Sequence, residues 1–239
     1  MRFIEKHFKA TEVVAFEKEL SDNRYDKVSL SDASVHPSMD GKSVYEAVKS
    51  LSTFKNLKSR LYADQGGICC YCGCRLEYPN HPQYVVEHVF PKEKNRSLAG
   101  EYENLLLSCR PTDEEEERRG ASDSKSSLFF HCDKSKGSKV LMITPLQENC
   151  SNFFCYDEFG RVRGEGKADD TIKTLNLNCE WLTKRRLAAI EGELYDENDN
   201  LLSNEELIQR LKTIMNVDDR GLNSEFCFVI KSVIEGLVF

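Results

Sequence analysis

The cysteine spacing in the middle of this chain is the first feature that could do chemistry. Cys69 and Cys72 form a Cys-x-x-Cys pair, and such a pair can supply two thiolates to one tetrahedral zinc ion. Cys109 and Cys132 can supply the other two, although an acidic, serine-rich stretch separates them. The sequence therefore predicts a structural zinc site made by these four cysteines.

Other interpretations of the cysteines stay open or are disfavoured. Cys70, Cys74 and His131 each lie within two positions of a predicted ligand and could replace it. A secreted disulfide framework is disfavoured by the chain length and by the mixed, charged first residues, which do not resemble a signal peptide. A redox-active pair would need a thioredoxin-like β-α-β context that the flanking sequence does not suggest. The remaining cysteines are expected to be small buried hydrophobic residues: Cys150, Cys155, Cys179 and Cys227.

A second group of polar residues is interleaved with the cysteines. Glu87 and His88 lie between the two cysteine pairs, Asn104 precedes the third predicted zinc ligand by five residues, and Asp133 directly follows the fourth. A single histidine beside an apolar run is usually structural, so His88 alone carries little weight. Glu87 and His88 would face opposite sides of a regular strand, but Pro91 indicates that the backbone turns close by. The combination is more informative than any one member.

The surrounding pattern predicts a mixed, mainly helical chain of the α+β class. Apolar residues at helical spacing predict helices before the cysteine pair, and two short apolar runs after it predict strands. A later hairpin is expected around Asp157-Glu158, and Ser203-x-x-Glu206 has the capping-box pattern that opens a helix. The predicted helices lie in 11–20, 44–51, 54–62, 133–137, 180–194, 205–215 and 226–237, and the strands in 84–90, 104–109, 152–156 and 159–163.

Composition narrows the function classes. The chain has 239 residues, of which 40% are hydrophobic and 31% charged, and this excludes a wholly disordered protein. It has no apolar run of about 18 residues, so we expect no transmembrane helix and a cytoplasmic protein. The net charge is −7, and residues 141–239, with 18 acidic and 11 basic side chains, account for all of it. Unaided affinity for nucleic acid should therefore be weak.

Four short runs together resemble the HNH endonucleases, which have a ββα-metal fold. These runs are Cys69-x-x-Cys72, Val86-Glu-His-Val-Phe-Pro-Lys92, Asn104-Leu-Leu-Leu-Ser-Cys109 and Cys132-Asp-Lys-Ser-Lys-Gly137. More narrowly, residues 67–73 and the Glu-His-x-x-Pro-Lys run resemble the HNH subunits of Septu-type antiphage systems (PtuB), including copies associated with retrons. The motifs cover about residues 55–140. The resemblance implies a mainly helical chain around a small, zinc-stapled ββα-metal core.

The resemblance also implies a role for each polar residue. His88 would be the general base, because an ordinary imidazole titrates near neutral pH. Asn104 would orient its ring through a hydrogen bond, from its side chain or from its backbone carbonyl. Glu87 and Asp133 would hold one Mg²⁺ or Mn²⁺ ion through carboxylate oxygens.

Two lysines could contact phosphate, and the sequence differs from the family pattern at two points. Lys92 and Lys136 are candidate phosphate contacts, although both could equally be solvated surface lysines. The last motif position is Asp133, where histidine or asparagine is common. The second cysteine pair is split by 22 residues, which leaves the identity of the zinc ligands open.

The sequence suggests three regions and one leading function. They are a partly helical region 1–54, a nuclease core 55–141 with an acidic inserted loop 110–127, and an acidic hairpin-plus-helices region 142–239 that would dock a partner. We expect a metal-dependent endonuclease that hydrolyses phosphodiester bonds of nucleic acid, with DNA favoured over RNA or tRNA.

The resemblance implies partners as well. The chain would be the toxic effector of an antiphage complex with an ABC/SMC-like ATPase subunit of the PtuA type, since it has no phosphate-binding P-loop of its own. A retron reverse transcriptase with its msDNA is a further candidate partner. The alternative is a non-catalytic zinc module that binds a protein or nucleic acid.

Overall fold

The computed structural model describes residues 1–77, 84–110 and 130–239. Within these ranges the chain is mostly helical and contains two small, two-stranded antiparallel sheets. The helices are α1 (Thr11–Asp22), α2 (Lys27–Ser31), α3 (Gly41–Lys49), α4 (Phe54–Asp64), α5 (Asp133–Lys136), α6 (Lys167–Thr174), α7 (Glu180–Leu194), α8 (Asn204–Thr213) and α9 (Cys227–Val238). The strands are β1 (Tyr84–His88), β2 (Leu105–Cys109), β3 (Cys155–Tyr156) and β4 (Val162–Arg163).

Strands β1 and β2 form the sheet that positions the polar residues. They pair antiparallel, with Tyr84 opposite Cys109 and His88 opposite Leu105. Every residue of β2 is buried, and helix α4 packs against this strand. The apolar side chains of β2 therefore fix the sheet in the core, so that β1 ends at a defined place with Glu87 and His88.

A side chain pairs with the free edge of β2. Gln65 directly follows α4 and is fully buried. Its amide oxygen accepts from the backbone nitrogen of Leu107 at 2.6 Å, and its amide nitrogen donates to the carbonyl oxygens of Leu107 at 2.9 Å and Ile68 at 2.8 Å. Gln65 thus takes the place of a third strand and satisfies the backbone nitrogen of Leu107 and the carbonyl oxygen of Ile68. The carbonyl oxygen of Leu107 also accepts from the backbone nitrogen of Cys70 at 3.1 Å.

Helix α5 starts immediately after Cys132. The backbone nitrogen of Cys132 donates to the carbonyl oxygen of Leu175 at 2.9 Å. The hydroxyl oxygen of Ser108 in β2 accepts from the backbone nitrogen of Asp133 at 3.3 Å. These bonds hold the start of α5 against the sheet, although the two are far apart in sequence.

The C-terminal helices close the core over the Cys69–Cys74 segment, named here the cysteine knuckle. Helix α9 packs against α7, α8 and β3. The ring of Phe228 in α9 lies so close to Gly73 that an added Cβ would approach it to 2.7 Å. Gly73 also has a φ of +84°, so both conformation and space require glycine here.

Most predicted elements are confirmed with shifts of a few residues at their ends. The helix predicted at 180–194 has those bounds, and the capping box of Ser203 and Glu206 is present at the start of α8. The hairpin predicted around Asp157 is confirmed as β3 and β4. Helices α2 and α6 were not predicted, because one spans a single turn and the other is a polar stretch with few apolar positions.

Three further expectations concern single regions. Cys155 is exposed, so the prediction that it is buried is wrong, whereas Cys150, Cys179 and Cys227 are buried. The strand around Cys155 is short and lies at the edge of its hairpin, which leaves this side chain outside the core. The acidic loop predicted at 110–127 falls, beyond Arg110, outside the described residues. Among the helices described, none has the length and apolar character needed to cross a membrane.

Candidate active site and metal centre

The four cysteines predicted as zinc ligands lie together. Their Sγ atoms are all within 4.8 Å of one another, and all four residues are buried. The Sγ atoms of Cys72 and Cys109 are 3.5 Å apart, and those of Cys69 and Cys132 are 3.9 Å apart. A tetrahedral zinc ion with bonds of about 2.3 Å needs sulfur atoms about 3.8 Å apart. The cluster can therefore bind a metal ion such as zinc.

A backbone nitrogen and a ring nitrogen lie against sulfur atoms of the cluster. The backbone nitrogen of Cys109 donates to Sγ of Cys69 at 3.3 Å. Nδ1 of His131 lies 3.2 Å from Sγ of Cys132, and the imidazole stacks on the indole of Trp181 at 5.2 Å between ring centroids. His131 therefore contacts the sulfur of Cys132 and is not itself one of the four clustered residues. Hydrogen-bonding partners of this kind favour thiolate sulfur and hold ligands in place.

Glu87, His88 and Asp133 line one cleft, with a volume of about 300 Å³. The cleft lies where the end of β1 meets α5, next to the cysteine cluster. Its other walls come from Pro91, Lys92, Glu93 and the turn after α5. Adjacent residues reach one cleft because Glu87 and His88 occupy the last two positions of β1, where the strand ends.

Glu87 is a buried acid held by two donors. The hydroxyl of Tyr71 donates to Oε1 at 2.8 Å, and Nζ of Lys136 lies 2.7 Å from the same oxygen. Burial and the neighbouring carboxyl of Asp133 raise the pKa of Glu87 to about 8, and the ammonium of Lys136 opposes this shift. Burial also raises the pKa of Tyr71 far above its ordinary value, so its hydroxyl keeps the proton that it donates.

His88 is held as a neutral imidazole. Nε2 lies 3.0 Å from the carbonyl oxygen of Ala99, and this contact requires that Nε2 carries the proton. The edge of the ring packs against Tyr45, with centroids 4.6 Å apart. Burial, assisted by the ammonium of Lys92, lowers the pKa of His88 to about 4, although the bond to Ala99 favours the protonated form. At neutral pH the lone pair of Nδ1 is therefore available to accept a proton.

The side chain of Asn104 bonds to the 90–98 loop, and its role in orienting the His88 ring stays a prediction. Its side-chain oxygen accepts from the backbone nitrogen of Phe90 at 2.7 Å, and its side-chain nitrogen donates to the carbonyl oxygens of Phe90 and Leu98 at 2.9 and 3.0 Å. Its backbone carbonyl accepts from Val89. Asn104 fastens both ends of the 90–98 loop, because its amide matches the backbone groups there. The carbonyl that contacts His88 follows this loop.

The two candidate phosphate lysines differ in their surroundings. Nζ of Lys92 lies 3.1 Å from Oε1 of Glu93, and its side chain is 21% exposed at the rim of the cleft. Lys136 is buried, and its ammonium also donates to the carbonyl oxygen of His88 at 2.9 Å. Lys136 thus has two internal partners, Glu87 and His88, and Lys92 is the lysine at the surface.

The carboxyl groups of Glu87 and Asp133 fit a hard divalent cation. Glu87 is buried and Asp133 is half-buried. Two such neighbouring acids repel each other when both are ionised, and a cation between them removes this cost. Burial is the main cause of the raised pKa of Glu87, and the neighbouring carboxyl of Asp133 adds to it. The oxygen donors here and the thiols of the cysteine cluster belong to different ligand classes, so two different metals would be separated.

Comparison with known proteins gives one distant relative. No protein-family profile matches the chain. An Escherichia coli protein named "Retron Ec83 putative HNH endonuclease" is 28% identical over 167 residues. The match covers 56% of this chain and 64% of the relative, which is less than two thirds of the relative's length. The similarity supports a relation to HNH nucleases.

Sequence reasoning missed three groups that shape the site. Tyr71, the carbonyl of Ala99 and the ring of Tyr45 all contact the predicted active residues. Tyr71 sits inside the cysteine knuckle, so its position was marked by the cysteines. Nothing in its local pattern indicated that its hydroxyl reaches Glu87, because that contact is made only in the tertiary structure.

Proposed function

We propose that this protein is a metal-dependent endonuclease of the HNH type that hydrolyses phosphodiester bonds of nucleic acid. The observation that carries the proposal is the meeting of Glu87, His88 and Asp133 in one cleft between a two-stranded sheet and a short helix. The adjacent four-cysteine cluster, as a structural zinc site, and the distant HNH relative support it.

His88 is the general base in this proposal. Nδ1 takes a proton from the attacking water while Nε2 stays bonded to the carbonyl oxygen of Ala99. This bond fixes both the tautomer and the direction of the ring, which is what general-base catalysis requires of a histidine. Asn104 acts indirectly, because it fastens the loop that leads to Ala99.

Glu87 and Asp133 would hold Mg²⁺ or Mn²⁺ in the cleft. When bound, such an ion stabilises negative charge on the phosphate and on the leaving oxygen. Lys136 keeps Glu87 in place through the ion pair at 2.7 Å. Lys92, at the rim, is placed to contact a phosphate group of the substrate.

The biological setting is the finer part of the proposal. The relative carries a retron in its name, and the chain resembles Septu-type HNH subunits. We therefore propose an antiphage effector that works with an ABC/SMC-like ATPase subunit, and a retron complex with its reverse transcriptase and msDNA is a further setting. DNA is the favoured substrate. The net charge of −7 agrees with a nuclease that depends on a partner to reach nucleic acid.

The test is a cleavage assay with Mg²⁺ on plasmid DNA and on total cellular RNA, with and without the ATPase partner. We expect His88→Ala to lower the rate at least about 100-fold and to retain one zinc per chain. His36→Ala is a matched control, since His36 is half-buried outside the cleft and hydrogen-bonds the carbonyl of Arg24. Zinc binding without cleavage of either polymer, with or without the partner, would favour a non-catalytic zinc module instead.

A further inference from the structure

Tyr71 connects the cysteine knuckle to the cleft. It lies between Cys70 and Cys72, and its side chain is fully buried. Its hydroxyl leaves the knuckle and donates to Oε1 of Glu87 at 2.8 Å, across 16 positions of sequence. A residue next to the predicted zinc ligand Cys72 thus touches a predicted ligand of a second metal ion.

The bond from Tyr71 restricts a carboxylate that is already held once. Nζ of Lys136 lies 2.7 Å from the same Oε1 atom, and the side chains of Lys136 and Glu87 are only 2% and 3% exposed. Two donors on one oxygen leave little rotational freedom to the carboxylate. The second oxygen of Glu87 is then the one that can serve a further partner.

Asp133 lies beside Glu87 in the cleft. Its carboxyl group neighbours that of Glu87, and both line the cleft together with His88. Asp133 is tied to β2 by the bond from its backbone nitrogen to Ser108. The two carboxyl groups are therefore brought to the same place by separate supports.

We propose that Tyr71 is a positioning residue that orients the Glu87 carboxylate for a divalent cation and so links the cysteine knuckle to the cation site. This inference rests on the proposed role of Glu87 and Asp133 as cation ligands. Tyr71 acts through Glu87 and touches neither cation nor substrate. Removing a hydrogen-bond partner of a metal-holding side chain typically lowers metal affinity about 10- to 100-fold. Because Lys136 remains in place, we expect the lower end of this range.

The test uses Tyr71→Phe in the zinc-loaded full chain, with Mn²⁺ alone as the probe. Binding is followed by electron paramagnetic resonance, which detects the free ion. We expect Mn²⁺ affinity to fall about 10-fold, while zinc content and the unfolding midpoint stay at wild-type values. Tyr62→Phe is the matched control, because that hydroxyl donates to the carbonyl of Leu76 at 3.0 Å, outside the cleft.

A double-mutant cycle tests whether Tyr71 acts through Glu87. In a Glu87→Gln background, Tyr71→Phe should cause no further loss of Mn²⁺ affinity. Glu87→Asp is a second variant that leaves the knuckle intact and withdraws the carboxylate by one methylene from both donors. We expect it to weaken Mn²⁺ binding at least as strongly as Tyr71→Phe does.

Several outcomes overturn the proposal. The first is unchanged Mn²⁺ affinity in Tyr71→Phe or in Glu87→Asp. The second is a further loss of Mn²⁺ affinity when Tyr71→Phe is added to Glu87→Gln. The third is loss of zinc from Tyr71→Phe, which would assign the hydroxyl to the knuckle. The outcome for the proposed function is separate. If Mn²⁺ binding depends on Glu87 and Tyr71 but no nucleic acid is cleaved, the nuclease fails and the positioning role stands. If cleavage depends on His88 but Tyr71→Phe binds Mn²⁺ normally, the positioning role fails and the nuclease stands.

A cleavage measurement then separates positioning from general stability. We expect the Tyr71→Phe rate to return to within about twofold of wild type at saturating Mn²⁺, since the change lies in cation affinity. A rate that stays low at saturation would instead indicate a distorted site and would contradict the proposal.

Discussion

Nε2 of His88 lies 3.0 Å from the carbonyl oxygen of Ala99, although 11 positions separate the two residues. A carbonyl oxygen can only accept, so the bond selects the tautomer in which Nδ1 has the lone pair. Asn104 determines where Ala99 lies, because it fastens the 90–98 loop at both ends. The orientation of the proposed base thus depends on a backbone atom that no sequence motif marks.

The pH dependence of the proposed cleavage follows from the burial of His88. The pKa of His88 is lowered to about 4, so the imidazole is already neutral, and able to accept a proton, throughout the range from pH 6 to 8. We expect the single-turnover rate at saturating Mn²⁺ to show no loss attributable to His88 between pH 8 and pH 6, and to fall only near pH 4. An inflection near pH 6.5 that disappears in His88→Ala would contradict this expectation.

Zinc binding should depend on the cluster and not on cysteines elsewhere. Cys72→Ser removes one of four thiolates that lie within 4.8 Å of one another. Metal binding contributes directly to folding in such sites, so we expect zinc to be lost and the unfolding midpoint to fall by more than about 10 °C. Elemental analysis and thermal unfolding measure both quantities. Cys155→Ser is the control, since Cys155 is exposed, and equal behaviour of the two variants would be the contrary result.

Gln65 should contribute strongly to stability. Gln65→Leu has a similar size but leaves the backbone nitrogen of Leu107 and the carbonyl of Ile68 without their side-chain partner. Each buried group left unpaired costs about 1–3 kcal/mol, so we expect the free energy of unfolding to fall by about 2–4 kcal/mol. Denaturant unfolding of the zinc-loaded protein measures it. Gln147→Leu, at an exposed turn, should change it by less than about 0.5 kcal/mol.

Lys6 should make stability depend on pH. Burial lowers its pKa to about 7, against the attraction of Asp64, whereas an unfolded lysine has a pKa of about 10.4. Between these two pKa values the unfolded state binds more protons than the folded state, so stability rises with pH in this range. Below pH 7 the charged side chain destabilises the folded state by the full amount. Lys6→Met removes the titrating group.

The stability of Lys6→Met relative to wild type, measured at two pH values, shows the direction of this pH dependence. We expect Lys6→Met to be more stable than wild type at pH 6.5 by an amount on the order of a few kcal/mol, reduced by the lost bond to the carbonyl of Leu105. The advantage should shrink at pH 9. Unfolding by denaturant at both values tests this, with Lys18→Met at an exposed site as control. If the stability advantage of Lys6→Met grew with pH, the predicted direction of the pH dependence would be wrong.

Local patterns determined most of the secondary structure. The helix Glu180–Leu194, the capping box at Ser203 and the turn around Asp157 depend on neighbours within a few residues. Such interactions are present in the sequence itself, so spacing and residue type were enough to find them. The short helices α2 and α6 were not predicted, because one turn or a largely polar stretch has too weak an apolar pattern.

The sequence also determined which residue types were present for metal and acid-base chemistry. The spacing of Cys69 and Cys72 and the order of the later motifs predicted the four cysteines that the structure brings together. It could not choose among Cys70, Cys74 and His131, because neighbours in sequence differ in where their side chains point. The roles of Glu87, His88, Asn104, Asp133 and Lys92 stay predictions, as does the division into three regions.

Only the tertiary structure decided how those residues are held. Tyr71 reaches Glu87, Ala99 contacts His88, Lys136 is buried as an ion-pair partner, and the side chain of Asn104 binds the 90–98 loop. Each of these contacts joins positions far apart in the chain, and each depends on a direction in space that residue spacing does not contain. The sequence by itself therefore determined the chemical groups and most local elements. The packing of α4, α5, the sheet and the 90–98 loop decided which groups meet and which nitrogen of His88 keeps its lone pair.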